Sequence, residues 1–201
     1  MLIIVVAAAA SFGLLGPPPA FAGRADDLTL ARELASQESS DGAIDRILSS
    51  HNHRMRSLLA LANSPPKQLN PSEQARLLIS LAKIFGELES KEAIPFLIEH
   101  IGLQIWPSPN IWTKTPEAII QRMPAIKALI QIGPAAAQAL ISAPVDCSTS
   151  DYRRASIFVV SAIAPTMNDA RDAATFLTVA RAQADLERRL AEDGLKRVKP
   201  K

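Results

Sequence analysis

The residue types best suited to metal ligation or nucleophilic attack are scarce in this chain, which has three His and one Cys. His51 and His53 are two positions apart, so on a helix their side chains would point about 200° apart and could not share one metal ion. Cys147 has no histidine near it in sequence to act as its base. His100 ends an amphipathic stretch, where a cation suits the helix dipole. We therefore expect no catalytic residue, no cofactor and no metal.

The pattern of charged residues also indicates structural rather than catalytic roles. The formal net charge is only +2, whereas a protein whose main partner is nucleic acid normally carries a strongly basic face. Asp146, Asp151 and Arg153 lie close together in sequence, and we expect them to form an Asp–Arg brace within one helical repeat rather than a site. The eight glycines form no glycine-rich phosphate loop. Composition therefore argues against nucleic acid and nucleotides as partners.

A polar stripe is the first candidate for a binding surface. Within SEQARLLISLAKIFGEL, four polar residues follow one another at helical spacings and share one face: Arg76, Ser80, Lys83 and Glu87. The other positions of this segment are mainly apolar, and we predict that Leu81 and Phe85 belong to the core. Further along the chain the stripe is continued by Gln121, Lys127 and Gln131. We predict that this surface binds another protein.

The second candidate is the proline-broken loop LQIWPSPNIWTKTP, which contains both tryptophans of the chain. Its prolines stiffen the backbone and lower the entropy lost in holding one shape. Tryptophan is enriched at interface hot spots, but exposed tryptophans also promote aggregation. We predict that Trp106, next to an apolar run, is buried, and that Trp112 is partly exposed and serves as the binding anchor.

The elements that position these residues are helices. Asn70 can cap a helix that begins at Pro71, and Glu73 is placed to close a capping box. Thr115, followed by a proline, is another helix start of this kind, and Pro124 should kink or split the helix that follows. No window shows sustained alternation of apolar and polar residues. We therefore predict an all-α fold without a sheet.

Three segments resemble one another: LAKIFGELESKEAIPFLIEHI, IKALIQIGPAAAQALISA and FVVSAIAPTMNDARDAATFL. Each consists of an apolar helix, a short break and a second helix. The breaks are at Gly86, Gly133 and Ala164-Pro165. The second helix carries a small residue followed by a small or aliphatic one. The spacings between breaks bracket the period of about 40–47 residues that is typical of two-helix solenoids. The sequence therefore predicts a helical repeat.

With this repeat the chain resembles the HEAT-repeat family, most closely in KIFGELESKEAIPFLI and ALIQIGPAAAQALI. The resemblance covers Ser72 to Leu177. It implies a short α-α superhelix with capping helices at both ends, which binds partners along its concave face, where the polar stripe would lie. The family also includes enzymes, such as bilin lyases and alkyl-base DNA glycosylases, whose site residues are not found here.

The N-terminus is typical of a secretory signal peptide, with an uncharged apolar run, three prolines and then Ala20-Phe21-Ala22. The run is shorter than the about 20 residues of a membrane span. No Lys or Arg precedes it, so retention as an anchor remains the alternative to cleavage after Ala22. Cleavage would give a signal peptide at 1–22, a helical domain at 23–195 and a basic C-terminal tail at 196–201. The protein would then be periplasmic or extracellular, and not held at the membrane.

These observations predict an exported, non-catalytic scaffold or protein-binding module that uses the polar stripe and the tryptophan loop. The alternative is a HEAT-like enzyme or small-ligand-binding protein with a pocket next to Trp106 and Trp112. An apolar pocket beside these tryptophans, with convergent Asp or Arg, would favour the alternative. The identity of the partner stays open.

Overall fold

The computed structural model describes residues 24–36, 40–49, 55–142, 150–167 and 171–179. Within these ranges every regular element is a helix and there is no strand, so the all-α prediction is confirmed. The α-helices are α1 Arg24–Ala35, α2 Ser40–Ser49, α3 Met55–Asn63, α4 Pro71–Glu87, α5 Ile94–Glu99, α6 Pro116–Arg122, α7 Pro124–Ile132, α8 Pro134–Ser142 and α9 Ser150–Ile163. Residues 171–179 are also helical.

Some of the sequence predictions concern residues outside these ranges. They are the signal peptide at 1–22, His51, His53, Asp146, Cys147 and the basic tail at 196–201.

The start of α4 confirms the predicted capping box. The Asn70 side chain accepts a hydrogen bond from the Glu73 N–H at 3.0 Å, and the Glu73 carboxylate accepts one from the Asn70 N–H at 2.8 Å. Two N–H groups that the first helical turn would leave unpaired are thereby satisfied. Pro71 occupies the first helical position, where no N–H is needed.

The end of α4 corrects the prediction that Gly86 breaks the helix, because Gly86 lies inside the last turn. The residue that reverses the chain is Glu89, whose φ is +47°. The Glu89 N–H bonds to the Gly86 carbonyl and the Ser90 N–H to the Phe85 carbonyl, both at 3.0 Å. This pair of bonds is a Schellman motif with glutamate at the position that usually holds glycine.

The helix boundaries around α7 follow the prolines. Pro124 begins α7 directly after α6, so the predicted break near Met123 is confirmed. At the other end of α7, Gly133 has a φ of +78° and ψ of −139°, a backbone region that is essentially restricted to glycine. Pro134 then begins α8. Gly133 is therefore a true break, as predicted.

The helices pack in an order that follows the sequence. α4 contacts α1, α2 and α3 on the N-terminal side and packs most extensively against α7, which in turn contacts α9. Leu81 and Phe85 have no exposed surface, which confirms that they belong to the core. Each of the three similar segments contains parts of two successive helices: α4 and α5, α7 and α8, and α9 and the helical residues 171–179.

Among the described helices, none taken singly has the length and hydropathy needed to cross a bilayer. By length and composition alone, the pair α7 and α8 meets the criterion together, with a bend of 111° between the two helices.

Candidate functional site

The first half of the predicted polar stripe faces α1. Ser80 is only 3% exposed, and its Oγ donates a hydrogen bond to the Leu34 carbonyl at 2.8 Å. The Arg76 Nε donates to the Ala35 carbonyl at 2.7 Å. Because the last carbonyls of a helix have no partner within it, Arg76 and Ser80 satisfy the C-terminal end of α1. The prediction that Ser80 lies on an open binding surface is therefore wrong, and Arg76 is engaged within the fold.

The second half of the stripe joins α4 to α7. The Glu87 Oε1 accepts hydrogen bonds from the Lys127 Nζ at 3.1 Å and from the Gln131 Nε2 at 3.2 Å. The bond from Gln131, and after it the bond from Lys127, lowers the pKa of the Glu87 carboxyl. Three of the predicted residues, from two different helices, are thus brought together in one hydrogen-bonded cluster.

A cleft of about 530 Å³ lies beside this cluster. Its apolar lining is aliphatic and comes from α2, from the loop before α6, and from α6 and α7: Ile44, Leu48, Ile105, Ile120 and Pro124. Its polar lining consists of Asp45, Lys83, Glu87, Gln121 and Lys127. Four of the eight predicted binding residues therefore lie around one cleft, which makes this the candidate functional site.

Sequence reasoning missed the wall that α2 contributes. Ile44 and Leu48 are one helical turn apart, and neither belongs to the predicted stripe. The signal in the sequence is that α2 has apolar residues at four positions, 43, 44, 47 and 48, which is a wide apolar face for a short helix. Ala43 and Ile47 are 1% exposed and serve the core, while Leu48 is only half-buried. Ile44 and Leu48 thus form a wall of the cleft.

The structure contradicts the prediction for Trp106 and agrees with the partial exposure predicted for Trp112. Trp106 is 66% exposed, so the prediction that it is buried is wrong. Trp112 packs partly buried against the core, and its Nε1 donates a hydrogen bond to the Asp151 carboxylate at 2.9 Å. The physical reason is that Ile101 and Ile111, which are 2% and 1% exposed, anchor the two ends of the loop. Trp112 directly follows the second anchor, whereas Trp106 lies in the span between them.

The backbone next to Trp106 is fixed in place. The Ile105 N–H donates to the Arg122 carbonyl at the end of α6 at 2.8 Å. Ile105 is itself part of the cleft lining. Trp106 therefore directly follows a residue of the cleft, although its own side chain is not among those that line it.

Asp151 lies in the first turn of α9, where a carboxylate is favoured by the helix dipole. Besides accepting the bond from Trp112, it lies 3.8 Å from the Arg154 guanidinium. Asp151 thus ties the tryptophan loop to α9. The brace predicted for Asp146, Asp151 and Arg153 stays a prediction, because Asp146 lies outside the described residues.

His100 belongs to an aromatic cluster. Its ring packs edge-on against Phe96, with ring centres 4.7 Å apart, and Phe96 packs in the same way against Phe85 at 5.5 Å. Burial lowers the pKa of His100, and the opposing effect of Glu99 is smaller. The expectation that His100 acts as a cation at a helix end is therefore corrected, since its surroundings favour the neutral ring.

The described ranges contain no group of three or more His, Cys, Asp or Glu side chains placed to hold a metal ion. What the cleft offers instead is an aliphatic floor with hydrogen-bonding and charged groups at its rim. Comparison with protein-family models, with curated proteins and with solved structures finds no match for this chain.

Proposed function

We propose that this chain is an exported, non-catalytic HEAT-repeat-like scaffold that binds another protein through the cleft between α2, α4, α6 and α7. The observation that carries the proposal is the cleft itself. Side chains from four helices and one loop meet there around a half-open aliphatic floor. Binding surfaces of proteins commonly combine such an apolar centre with a polar rim.

The order in which the helices pack supports the interpretation of the chain as a helical repeat. In a solenoid each repeat contacts mainly its neighbours, and the repeats follow one another in sequence order. Here α4, α7 and α9 each begin one of the three similar segments, and they pack in that order. Under this interpretation the cleft lies beside the first two of these helices, where α2 packs against α4 and α6 packs against α7.

The alternative function, a small-ligand site next to the tryptophans, has less support. The residues that line the cleft do not include Trp106 or Trp112. Trp112 is already engaged with Asp151, and Trp106 projects into solvent. The exposed Trp106 fits better as an additional contact for a partner that binds in the neighbouring cleft, since tryptophan is common at interface hot spots.

The proposal can be tested by photo-crosslinking in the native envelope fraction. A photo-reactive amino acid at Gln121, which is exposed at the cleft, should capture a partner protein. The same amino acid at Gln138 is the matched control, because Gln138 is also an exposed helical glutamine but lies on α8, outside the cleft lining. Equal capture at both positions, or none at Gln121, would contradict the proposed site.

Export is tested separately by mass spectrometry of the protein in the same fraction. We expect a mature chain that begins at Gly23, because Ala20-Phe21-Ala22 provides the small residues of a cleavage site. An intact Met1 end in the membrane fraction would instead favour the retained anchor.

A further inference from the structure

The cleft also indicates what kind of partner segment fits it. Resting on the proposed function, we infer that the cleft takes a linear segment of the partner protein that places aliphatic side chains on its floor and a Lys or Arg side chain against Asp45.

The floor defines the first half of this inference. Ile44 and Pro124 are buried, and Leu48 is half-buried, so the incoming side chain meets branched and cyclic aliphatic surface. The volume of about 530 Å³ lies within the range of about 300–1,000 Å³ that is typical of ligand sites. The cleft is partly open to solvent, which suits side chains on a longer segment better than a small molecule that must be enclosed.

The rim charges define the second half. The Glu87 carboxylate already accepts bonds from Lys127 and Gln131, and Lys83 has a partner within the chain as well. Asp45 is exposed on α2, and its carboxylate makes no hydrogen bond or ion pair with any residue that the structure describes. Among the charged groups of the cleft, Asp45 is therefore the one that is left to be neutralised by a cation of the partner.

Trp106 extends the same preference. It is 66% exposed and directly follows Ile105 of the cleft lining, so a segment that leaves the cleft at this end passes an indole face. Indole faces attract Lys and Arg side chains and also bury aliphatic groups. Asp45 in the cleft and Trp106 beside it thus both favour a basic segment with aliphatic residues.

A random dodecamer peptide library, displayed on phage and selected on the purified chain, tests this inference. We expect the selected peptides to combine aliphatic residues with Lys or Arg. A synthetic selected peptide should bind Asp45→Asn roughly two- to fivefold more weakly, since one exposed ion pair is lost. Binding to Asp45→Lys should be weaker on the order of tenfold, because like charges then oppose each other. Asp172→Lys, which reverses an exposed aspartate on residues 171–179, is the matched control and should bind unchanged.

The cleft itself is tested by Leu48→Glu, which places a charge on the floor, and by Gln121→Trp, which fills the mouth from an exposed position and leaves the core untouched. Either variant should abolish peptide binding while the far-UV signal is retained. If peptides bind both variants as well as the parent chain, the cleft is not the docking site and the proposed function fails with it. If the cleft variants lose binding but basic residues are not enriched and Asp45→Lys binds normally, only the inferred partner chemistry is overturned. Failure to select any peptide would also overturn the inference that the cleft binds a linear segment. The crosslinking experiment at Gln121 would still test the proposed function.

Discussion

Gly86 on α4 lies against Ala128 on α7 so closely that a Cβ atom at position 86 would come within 2.8 Å of the Ala128 Cα. The same atom would lie 2.6 Å from the Gln131 Oε1. Real Cβ atoms do not approach other atoms this closely, so only glycine allows α4 and α7 to pack at this distance. The contact directly precedes Glu87, and it therefore brings that carboxylate within reach of its partners on α7.

Replacing Gly86 with alanine should separate the two helices and destabilise the fold by about 1–3 kcal/mol, the usual cost of overpacking a core. Gly42→Ala is the matched control, because Gly42 also lies in a helix but an added Cβ there would meet nothing within 4 Å. That change should stabilise the protein by up to about 1 kcal/mol through helix propensity. Urea unfolding of both variants checks the prediction, and a neutral Gly86→Ala variant would contradict it.

Glu89 at the end of α4 provides a substitution that should stabilise the protein. Its φ of +47° is unfavourable for any residue with a Cβ, by about 1–2 kcal/mol. Glycine removes this strain but loses more entropy on folding, so Glu89→Gly should gain about 0.5–1 kcal/mol. Thermal unfolding measures the gain, and Glu89→Gln, which removes only the charge, should leave the midpoint unchanged. If both variants shift the midpoint equally, charge rather than backbone strain is responsible.

Among the residues that the structure describes, Phe85 is the largest side chain with no exposed surface, and it contacts the Phe96 ring. Truncation to alanine leaves a cavity that its neighbours cannot fill, so Phe85→Ala should cost about 3–5 kcal/mol in the free energy of unfolding. Chemical denaturation of the variant provides the measurement. A loss below about 1 kcal/mol would mean that this face of α4 is not packed as described.

The features that were predicted correctly from the sequence depend on neighbours in the chain. The capping box at Asn70, the helix start at Pro116 and the break at Pro124 are set by backbone chemistry within a few residues, which a single sequence displays. Ser80 was misassigned because its partner, the Leu34 carbonyl, comes from a helix far away in the chain. A polar residue on a helix is predicted to be exposed unless the unpaired backbone carbonyls at the end of another helix are known to lie against it.

The candidate site was predicted in part for the same reason. Lys83 and Glu87 share a helix face, and this spacing can be read directly. The contribution of Asp45 depends on how α2 packs against α4, and nothing local in the sequence specifies that packing. Trp106 was wrongly predicted to be buried because of the apolar run before it, whereas Ile101 and Ile111 are the residues that anchor the loop.

The pH dependence of stability should carry a contribution from His100. Burial lowers the pKa of His100 below the ordinary value of 6.5, so the unfolded chain binds a proton at a higher pH than the folded chain does. Stability from this residue is therefore complete above about pH 6.5 and falls as the pH drops from there towards the lowered pKa. His100→Gln should show a flatter stability profile over this interval when urea midpoints are compared. A profile as steep as that of the parent chain would assign the dependence to other groups.

At lower pH, Glu87 should also make the protein less stable as the pH falls. Its bonds from Gln131 and Lys127 lower the pKa of the carboxyl below 4.5, so the stabilisation is present above that pH and is lost as the pH falls through the lowered value. Because the Lys127 pair is largely exposed, the effect should be small and should weaken in salt. Glu87→Gln should remove it without changing the slope that His100 produces at higher pH.

The two tryptophans should respond differently to a soluble quencher. In the Trp112→Phe variant only Trp106 emits, and its 66% exposure predicts strong quenching by iodide. In the Trp106→Phe variant the remaining Trp112 is packed against the core and bonded to Asp151, so quenching should be several-fold weaker. Asp151→Asn keeps an acceptor oxygen and should preserve this protection, whereas Asp151→Leu should increase the quenching of Trp112. Equal quenching of the two residues would contradict the loop arrangement.

If Trp106 also contacts the partner, the peptides that bind the cleft should protect Trp106 from quenching by iodide and leave the quenching of Trp112 unchanged.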